Sequence, residues 1–221
     1  MAASGVTSGS KIIDLRNLLA ARFPSLPSPP ETALRTSIDR LDDLLGTGLP
    51  RGAITEITAP HPGSGSALLI HTLLDAACRE RTFLALVDGH DSFDPQPLGD
   101  DRLRHLLWVR CRSGMEALKA SDLLLRDGNF PLIILDLVLN RADELRKIPQ
   151  THWYRLQRLV EPTSSAFVVL TRHGMISSAQ VKLVLENGTT LADLARDYSP
   201  ARWEFRLQRR QGGRLQMKEA G

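Results

Sequence analysis

Residues 59–69 read APHPGSGSALL, and Gly63, Ser64, Gly65 and Ser66 stand between a strand-like run, Ala53–Thr58, and an apolar helix-like run, Ala67–Ala77. Glycines joining a strand to a helix suit phosphate binding, because backbone amides must wrap the phosphate oxygens ahead of a helix N-terminus. A small hydroxyl residue, Ser66, follows the glycines, but the loop carries no lysine. Losing a unit charge at 4 Å from a phosphate removes about 4 kcal/mol of attraction at an effective dielectric near 20. The residues alone admit three readings: a hydrolytic site, a site that binds nucleotide without turnover, and a structural turn that binds nothing. The glycines suit the third, since they adopt backbone conformations other residues resist, and we adopt it.

The elements that position this loop follow from periodicity. Strands are expected at Ala53–Thr58, Thr82–Asp88, Leu106–Arg110, Leu132–Asp136, Ala166–Thr171, Val181–Glu186 and Trp203–Gln208. Several are nearly continuous apolar runs, the pattern of strands covered on both faces by crossover helices. Helices are expected at Ser66–Arg79, at Gly114–Arg126, and from Arg141 to Val160 with an interruption at Pro149. TSIDRLDDLL, residues 36–45, reads as a capped helix with Ile38, Leu41, Leu44 and Leu45 on one face. In the later helix, Trp153, Leu156, Leu159 and Val160 share a core-facing side. The expected fold class is α/β, a mostly parallel twisted sheet with helices on both faces. Ligands of such sheets bind at the carboxyl ends of the strands, where both the 59–66 loop and Asp136 fall.

Ahead of the core, Ser10 caps a short amphipathic helix over Lys11–Arg22, with Ile12, Leu15 and Leu19 at helical spacing. FPSLPSPPETA ends it, because proline has no amide hydrogen and clashes with the preceding turn. The organisation expected is a disordered start, helix and proline-rich linker over residues 1–33, a core over 34–208, and a basic flexible tail over 209–221.

With 221 residues and 42% hydrophobic residues, the chain suits one α/β domain with a short appendage. Its formal charge of +3 does not by itself demand a nucleic-acid partner. The basic residues cluster, however: Arg202, Arg206, Arg209, Arg210, Arg214 and Lys218 accompany one acid, Glu204. That stretch is either a solvated tail or an arm near a polyanion. Cys78 and Cys111 have no metal-ligand spacing and read as reduced core thiols. His61, His71, His105, His152 and His173 are also without ligand spacing and receive no role, so no metal site is expected. Neither a signal peptide nor a membrane span is visible.

The order of motifs resembles the RecA recombinase family. TSIDRLDDLLGTGLPRGAITEITAPHPGSGSALL is similar to the opening of the RecA core, a nucleotide-binding P-loop fold. LVDGHDSFDP, residues 86–95, resembles the segment after its second core strand, EALKASDLLLRDGNFPLIILDLV, residues 116–138, its helix and Walker B strand, and FVVLTR, residues 167–172, the strand before a mobile DNA-contacting loop. The likeness runs from about Thr36 to Glu186. It implies that Asp136 is the Walker B acid, that Ser66 is the magnesium-directed hydroxyl and that Asp94 lies in the segment against adenine. Gly63, Ser64, Gly65, Ser66, Asp94 and Asp136 are then a vestigial nucleotide site.

Departures from the family pattern carry the functional expectation. The lysine position holds Gly65, and the position of the water-activating glutamate holds His90. The resemblance therefore implies a pseudo-ATPase with no catalytic residue and no required cofactor, beyond weak binding of ATP or ADP with magnesium. Leu139–Pro149 replaces the first DNA loop and carries Arg141, Arg146 and Lys147. A shortened 172–180 replaces the second, with Arg172 at the position of a coupling glutamine. Arg141, Arg146, Lys147, Arg172, Arg209 and Arg210 are the candidate nucleic-acid contacts.

A damaged phosphate loop on such a core looks like the ImuA group, RecA-related accessories of damage-induced translesion synthesis. The expectation is a non-catalytic adaptor in the cytoplasm, associated with the nucleoid during repair. Its implied partners are RecA and an ImuB-like Y-family polymerase homologue, with DNA as a further ligand and no membrane. Ile12, Leu15 and Leu19 are the candidate partner-binding face. The alternatives are a divergent ATP-dependent recombinase and an inhibitor of RecA filaments.

Overall fold

A computed structural model of the chain describes residues 32–61, 63–187 and 203–210. The expected helix at 11–22, its residues Ile12, Leu15 and Leu19, the proline-rich linker as far as Glu31 and residues 211–221 lie outside these, whereas Ala33, expected at the end of the linker, opens the first strand.

The core opens with a two-residue antiparallel pair, β1 (Ala33–Leu34) and β2 (Leu49–Pro50), which brackets α1 (Asp39–Leu45). The expected cap forms without a side chain at the N-cap itself. The Thr36 hydroxyl accepts from the Ile38 amide at 3.1 Å, and Asp42 accepts from both the Thr36 amide and hydroxyl.

The remaining strands are β3 (Ala53–Thr58), β4 (Leu84–Asp88), β5 (Leu106–Arg110), β6 (Leu132–Asp136), β7 (Ala166–Thr171), β8 (Val181–Leu185) and β9 (Phe205–Arg210). They form one seven-stranded sheet in the order β5-β4-β6-β7-β3-β8-β9. Every pairing is parallel except β8 with β9. All residues of β3, β4 and β7 are buried, which is why β4 and β7 read as apolar runs rather than as alternation; β3 is buried as well although it carries Thr55, Glu56 and Thr58.

The helices are α2 (Ser66–Arg79), α3 (Asp100–Leu103), α4 (Gly114–Asp127), α5 (Ala142–Leu145) and α6 (Gln150–Val160). Alternate strand residues feed two separate cores. Ile57, Leu86, Ile134 and Val168 join α1 and α2, through Leu41, Leu69 and Leu73, on one face. Ile54, Val87, Ile133 and Phe167 join α4 and α6, through Leu118, Trp153 and Leu156, on the other. The expected break at Pro149 is observed, since it separates α5 from α6.

Several boundaries differ from expectation, among them the start of the first helix at Asp39 and the end of α4 at Asp127. The strand expected from Thr82 begins at Leu84, because the Thr82 amide still donates to Ala77 and closes the turn after α2. The strand expected from Val181 to Glu186 ends at Leu185. The last strand begins at Phe205 instead of Trp203, because the Glu204 amide is committed to the Asn187 side chain at 2.7 Å. Arg209 and Arg210, grouped by composition with the tail, end β9, opposite Lys182 and Val181.

Candidate functional site

The loop after β3 and the ends of β4 and β6 bring part of the candidate set to the carboxyl edge of the parallel strands. After β3, the Ala59 amide donates to the Thr171 carbonyl, which fixes where the loop leaves the sheet. The loop then closes on itself. Ser64 donates its hydroxyl to the His61 carbonyl at 2.7 Å and accepts from the His61 amide at 3.1 Å. That buried hydroxyl therefore serves the turn. Gly63 and Gly65 take φ values of 81° and 89°, the left-handed region that favours glycine. Ser66 begins α2.

Gly65 stands where a lysine was expected, and two residues from the far end of the chain cover it. A Cβ on Gly65 would lie 3.2 Å from Asn187 Nδ2 and 3.6 Å from Trp203 Cζ3. Trp203 is fully buried in the core that contains Leu69 and Ile70 of α2, and it stacks on Phe205 at 5.7 Å between centroids. Neither Asn187 nor Trp203 was expected at the loop. Composition gives a weak signal for Trp203 alone, as a large apolar residue in an otherwise basic stretch.

Asp88 and Asp136 are register partners across β4 and β6. Asp88 is buried and saturated. It accepts from the amides of His90, Ser92 and Phe93 at 3.2, 2.8 and 2.8 Å, and from Trp108 Nε1 at 3.3 Å. It organises the turn that carries His90, whose side chain is exposed. Asp136 has a single backbone donor, Val138, at 3.0 Å. Burial pushes its carboxyl up to about 6, against the Val138 hydrogen bond, with the Asp88 charge adding to the rise. Asp94 is exposed and accepts from the Gln96 amide at 2.9 Å, so its carboxylate shapes its own turn. Among the described residues no group of three or more His, Cys, Asp or Glu side chains could hold a metal.

The six basic candidates divide between the two ends of the sheet. Arg141, Arg146 and Arg172 line one cleft of about 640 Å³ at the carboxyl ends of β6 and β7. Lys147 lies on the same connection but not in the lining. Arg209 and Arg210 lie on β9, paired with the first residues of β8, and so at the amino end of the parallel strands. Antiparallel return of the last strand separates the two groups.

Glu56 is the organising residue that motif reading missed. It sits inside an apolar strand, fully buried, and its Oε1 accepts from the Met175 amide at 2.7 Å and the Ile176 amide at 3.2 Å. Its Oε2 lies 2.8 Å from Lys182 Nζ. A charge in the middle of AITEIT was the available signal, because a buried carboxylate needs partners. Asn140 plays the matching role across the cleft, donating from Nδ2 to the Gly89 carbonyl at 2.8 Å.

Compared with known proteins, the chain is 36% identical over 110 residues to Protein RecA of Chlorobaculum parvum, covering 48% of this chain and 31% of that protein. It is 34% identical over 121 residues to Protein RecA of Clavibacter michiganensis, covering 53% and 33%. It is 31% identical over 121 residues to Protein RecA of Streptomyces avermitilis, covering 53% and 32%. The matches thus take in about half of this chain and about a third of the curated relatives. No family model matches. With the α/β class and the seven-stranded, mostly parallel sheet, these similarities identify a RecA-like core. Among the described residues, no helix is long and apolar enough to cross a membrane.

Proposed function

We propose that this is a RecA-like protein of DNA recombination or repair whose core no longer hydrolyses ATP and acts by contact with other macromolecules. The observation that carries this reading is the covering of Gly65. A phosphate loop needs open space above its glycines and a cation beside the phosphates. Here Asn187 and Trp203 stand against the lysine position, and that position has a left-handed backbone. The engagement of Ser64 within the turn supports the same conclusion. Within this reading, the role closest to the sequence pattern is that of an ImuA-like adaptor in translesion synthesis. It would work with RecA and a Y-family polymerase homologue in the cytoplasm.

Calorimetric titration of the full chain with magnesium and ATP tests the proposal. No binding up to millimolar ATP is expected. Micromolar binding with turnover stimulated by DNA would replace it with a divergent ATP-dependent recombinase. One observation favours that second reading: Ser66 at the start of α2 and Asp136 at the end of β6 retain the magnesium-directed residue types.

A further inference from the structure

The cleft at the ends of β6 and β7 has features the loss of nucleotide chemistry does not explain. Its rim carries Arg141, Arg146 and Arg172, and its wall is built from Leu145, Ile148 and Met175. Among the described residues, no Asp or Glu lines it. Arg141 is paired with Asp143 at 3.1 Å, but Arg146 and Arg172 form no ion pair among the described residues. Arg172 Nε is buried without a hydrogen-bond partner, and so is Oδ1 of Asn140, a side chain only 7% exposed that also lines the cleft. Leaving such groups unpaired is unfavourable, and the accessible cationic capacity of the cleft rests on the exposed Arg146 and the partly exposed Arg172.

Both walls are fixed in advance. Glu56 holds the Met175 and Ile176 amides, and Gln150 Nε2 donates to the Met175 carbonyl at 3.1 Å. On the other side, Asn140 is tied to Gly89, and Glu144 accepts from the Gly114 amide at 2.5 Å. A preformed cleft binds without the entropy loss of ordering its loops.

Guanidinium groups pair with carboxylates and phosphates alike, so the lining decides between them. Non-specific single-stranded nucleic acid is held by stacking bases on aromatic side chains, and the cleft has no Phe, Tyr or Trp among its lining residues. Its apolar surface is aliphatic and lies beneath the charged rim. A volume of about 640 Å³ accommodates side chains inserted from above. We infer that the cleft is a docking site for an acidic peptide segment of a partner protein, its carboxylates on Arg146 and Arg172 and its aliphatic side chains on Leu145, Ile148 and Met175. This rests on the adaptor reading above and supplies the chemistry of its partner.

Fluorescence anisotropy of the full chain with a labelled synthetic peptide of alternating glutamates and leucines tests it. Binding is expected, weakened about tenfold or more by Arg146→Glu and equally by replacing the peptide leucines with serine. Arg146 is exposed, so that variant folds, which an unchanged urea midpoint verifies. Arg172→Gln is expected to weaken binding in the same direction. No binding at millimolar peptide, indifference to Arg146→Glu, or indifference to loss of the leucines would each overturn the inference. Displacement of the peptide by lower concentrations of oligothymidylate would also overturn it and assign the cleft to single-stranded DNA. Failure here with ATP still unbound leaves the adaptor reading in place. ATP turnover removes that reading whatever the peptide does.

Discussion

Glu56 and Lys182 are register partners on the adjacent parallel strands β3 and β8, and their side chains meet at 2.8 Å, with Glu56 fully buried and Lys182 17% exposed at its side chain. The same carboxylate accepts the amides that begin the 175–176 segment. One group therefore links the middle of the sheet to the wall of the cleft. Removing one partner of a buried pair leaves an uncompensated charge and costs about 3–5 kcal/mol. Partial exposure of Lys182 lowers this, so Glu56→Ala is expected to lose about 2–3 kcal/mol in urea unfolding. Native-state hydrogen exchange should show the Met175 and Ile176 amides losing protection ahead of their neighbours. Unchanged protection there would remove Glu56 from its positioning role.

Restoring the missing lysine is not expected to restore nucleotide binding. Gly65→Lys forces a side chain into a left-handed backbone at φ 89°, with its Cβ 3.2 Å from Asn187 Nδ2. Strain of this kind costs about 1–3 kcal/mol. The variant should melt below the parent and give no heat with magnesium and ATP. Tight ATP binding by this single variant would show that the cover over the loop yields easily.

Gly89 is constrained by space alone. A Cβ there would meet Asn140 Oδ1 at 2.5 Å, Leu137 Cδ2 at 2.7 Å and the Asp136 carbonyl at 2.8 Å. Since Asn140 and Leu137 are buried, overpacking of about 1–3 kcal/mol is expected for Gly89→Ala. Its signature is a lowered urea midpoint with an unchanged m-value.

The pH dependence of stability carries the imprint of Asp136. Its folded pKa, raised to about 6 by burial, lies above the ordinary carboxylate value. The native state therefore binds this proton more tightly than the unfolded chain does. The resulting stabilisation is complete below about pH 4 and is lost as pH rises through about 6. Asp136→Asn keeps an oxygen acceptor for the Val138 amide and carries no charge. It is expected to stabilise the chain by about 1–2 kcal/mol at pH 8 and to be neutral at pH 4. Equal effects at both pH values would contradict the raised pKa.

Cys111 should be inert in the folded protein. Burial pushes its thiol up to about 11, with the charges of Glu116 and Asp88 adding to the rise. The thiolate is the reactive form. Ellman's reagent at pH 8 should modify Cys111 only as fast as the protein unfolds, whereas rapid modification in native buffer would mean an open path to the sulfur.

What was legible in the sequence follows from the range of the forces involved. Strands β5, β6 and β7 were readable to the residue, because continuous apolar runs bounded by turns leave little freedom of register, and β3 and the start of α2 were readable from the glycine-bearing loop between them. The parallel-sheet pattern placed the 59–66 loop and Asp136 at the carboxyl edge, where the structure has them. The cover over Gly65 was not readable, because Asn187 and Trp203 reach it through tertiary packing across more than a hundred residues. The division of the basic residues was hidden for a similar reason: a list of arginines does not show that β9 runs against its neighbour.

That reversal of β9 makes the core a body with two cationic poles. Arg141, Arg146 and Arg172 lie at one pole and Arg209 and Arg210 at the other, with the length of the strands between them. Strands of five residues span about 17 Å, well beyond the Debye length of about 8 Å at physiological salt. The poles thus act as independent electrostatic addresses. Substitutions in one group are therefore expected to leave the electrostatics of the other unchanged, with additive effects on any property that reads both.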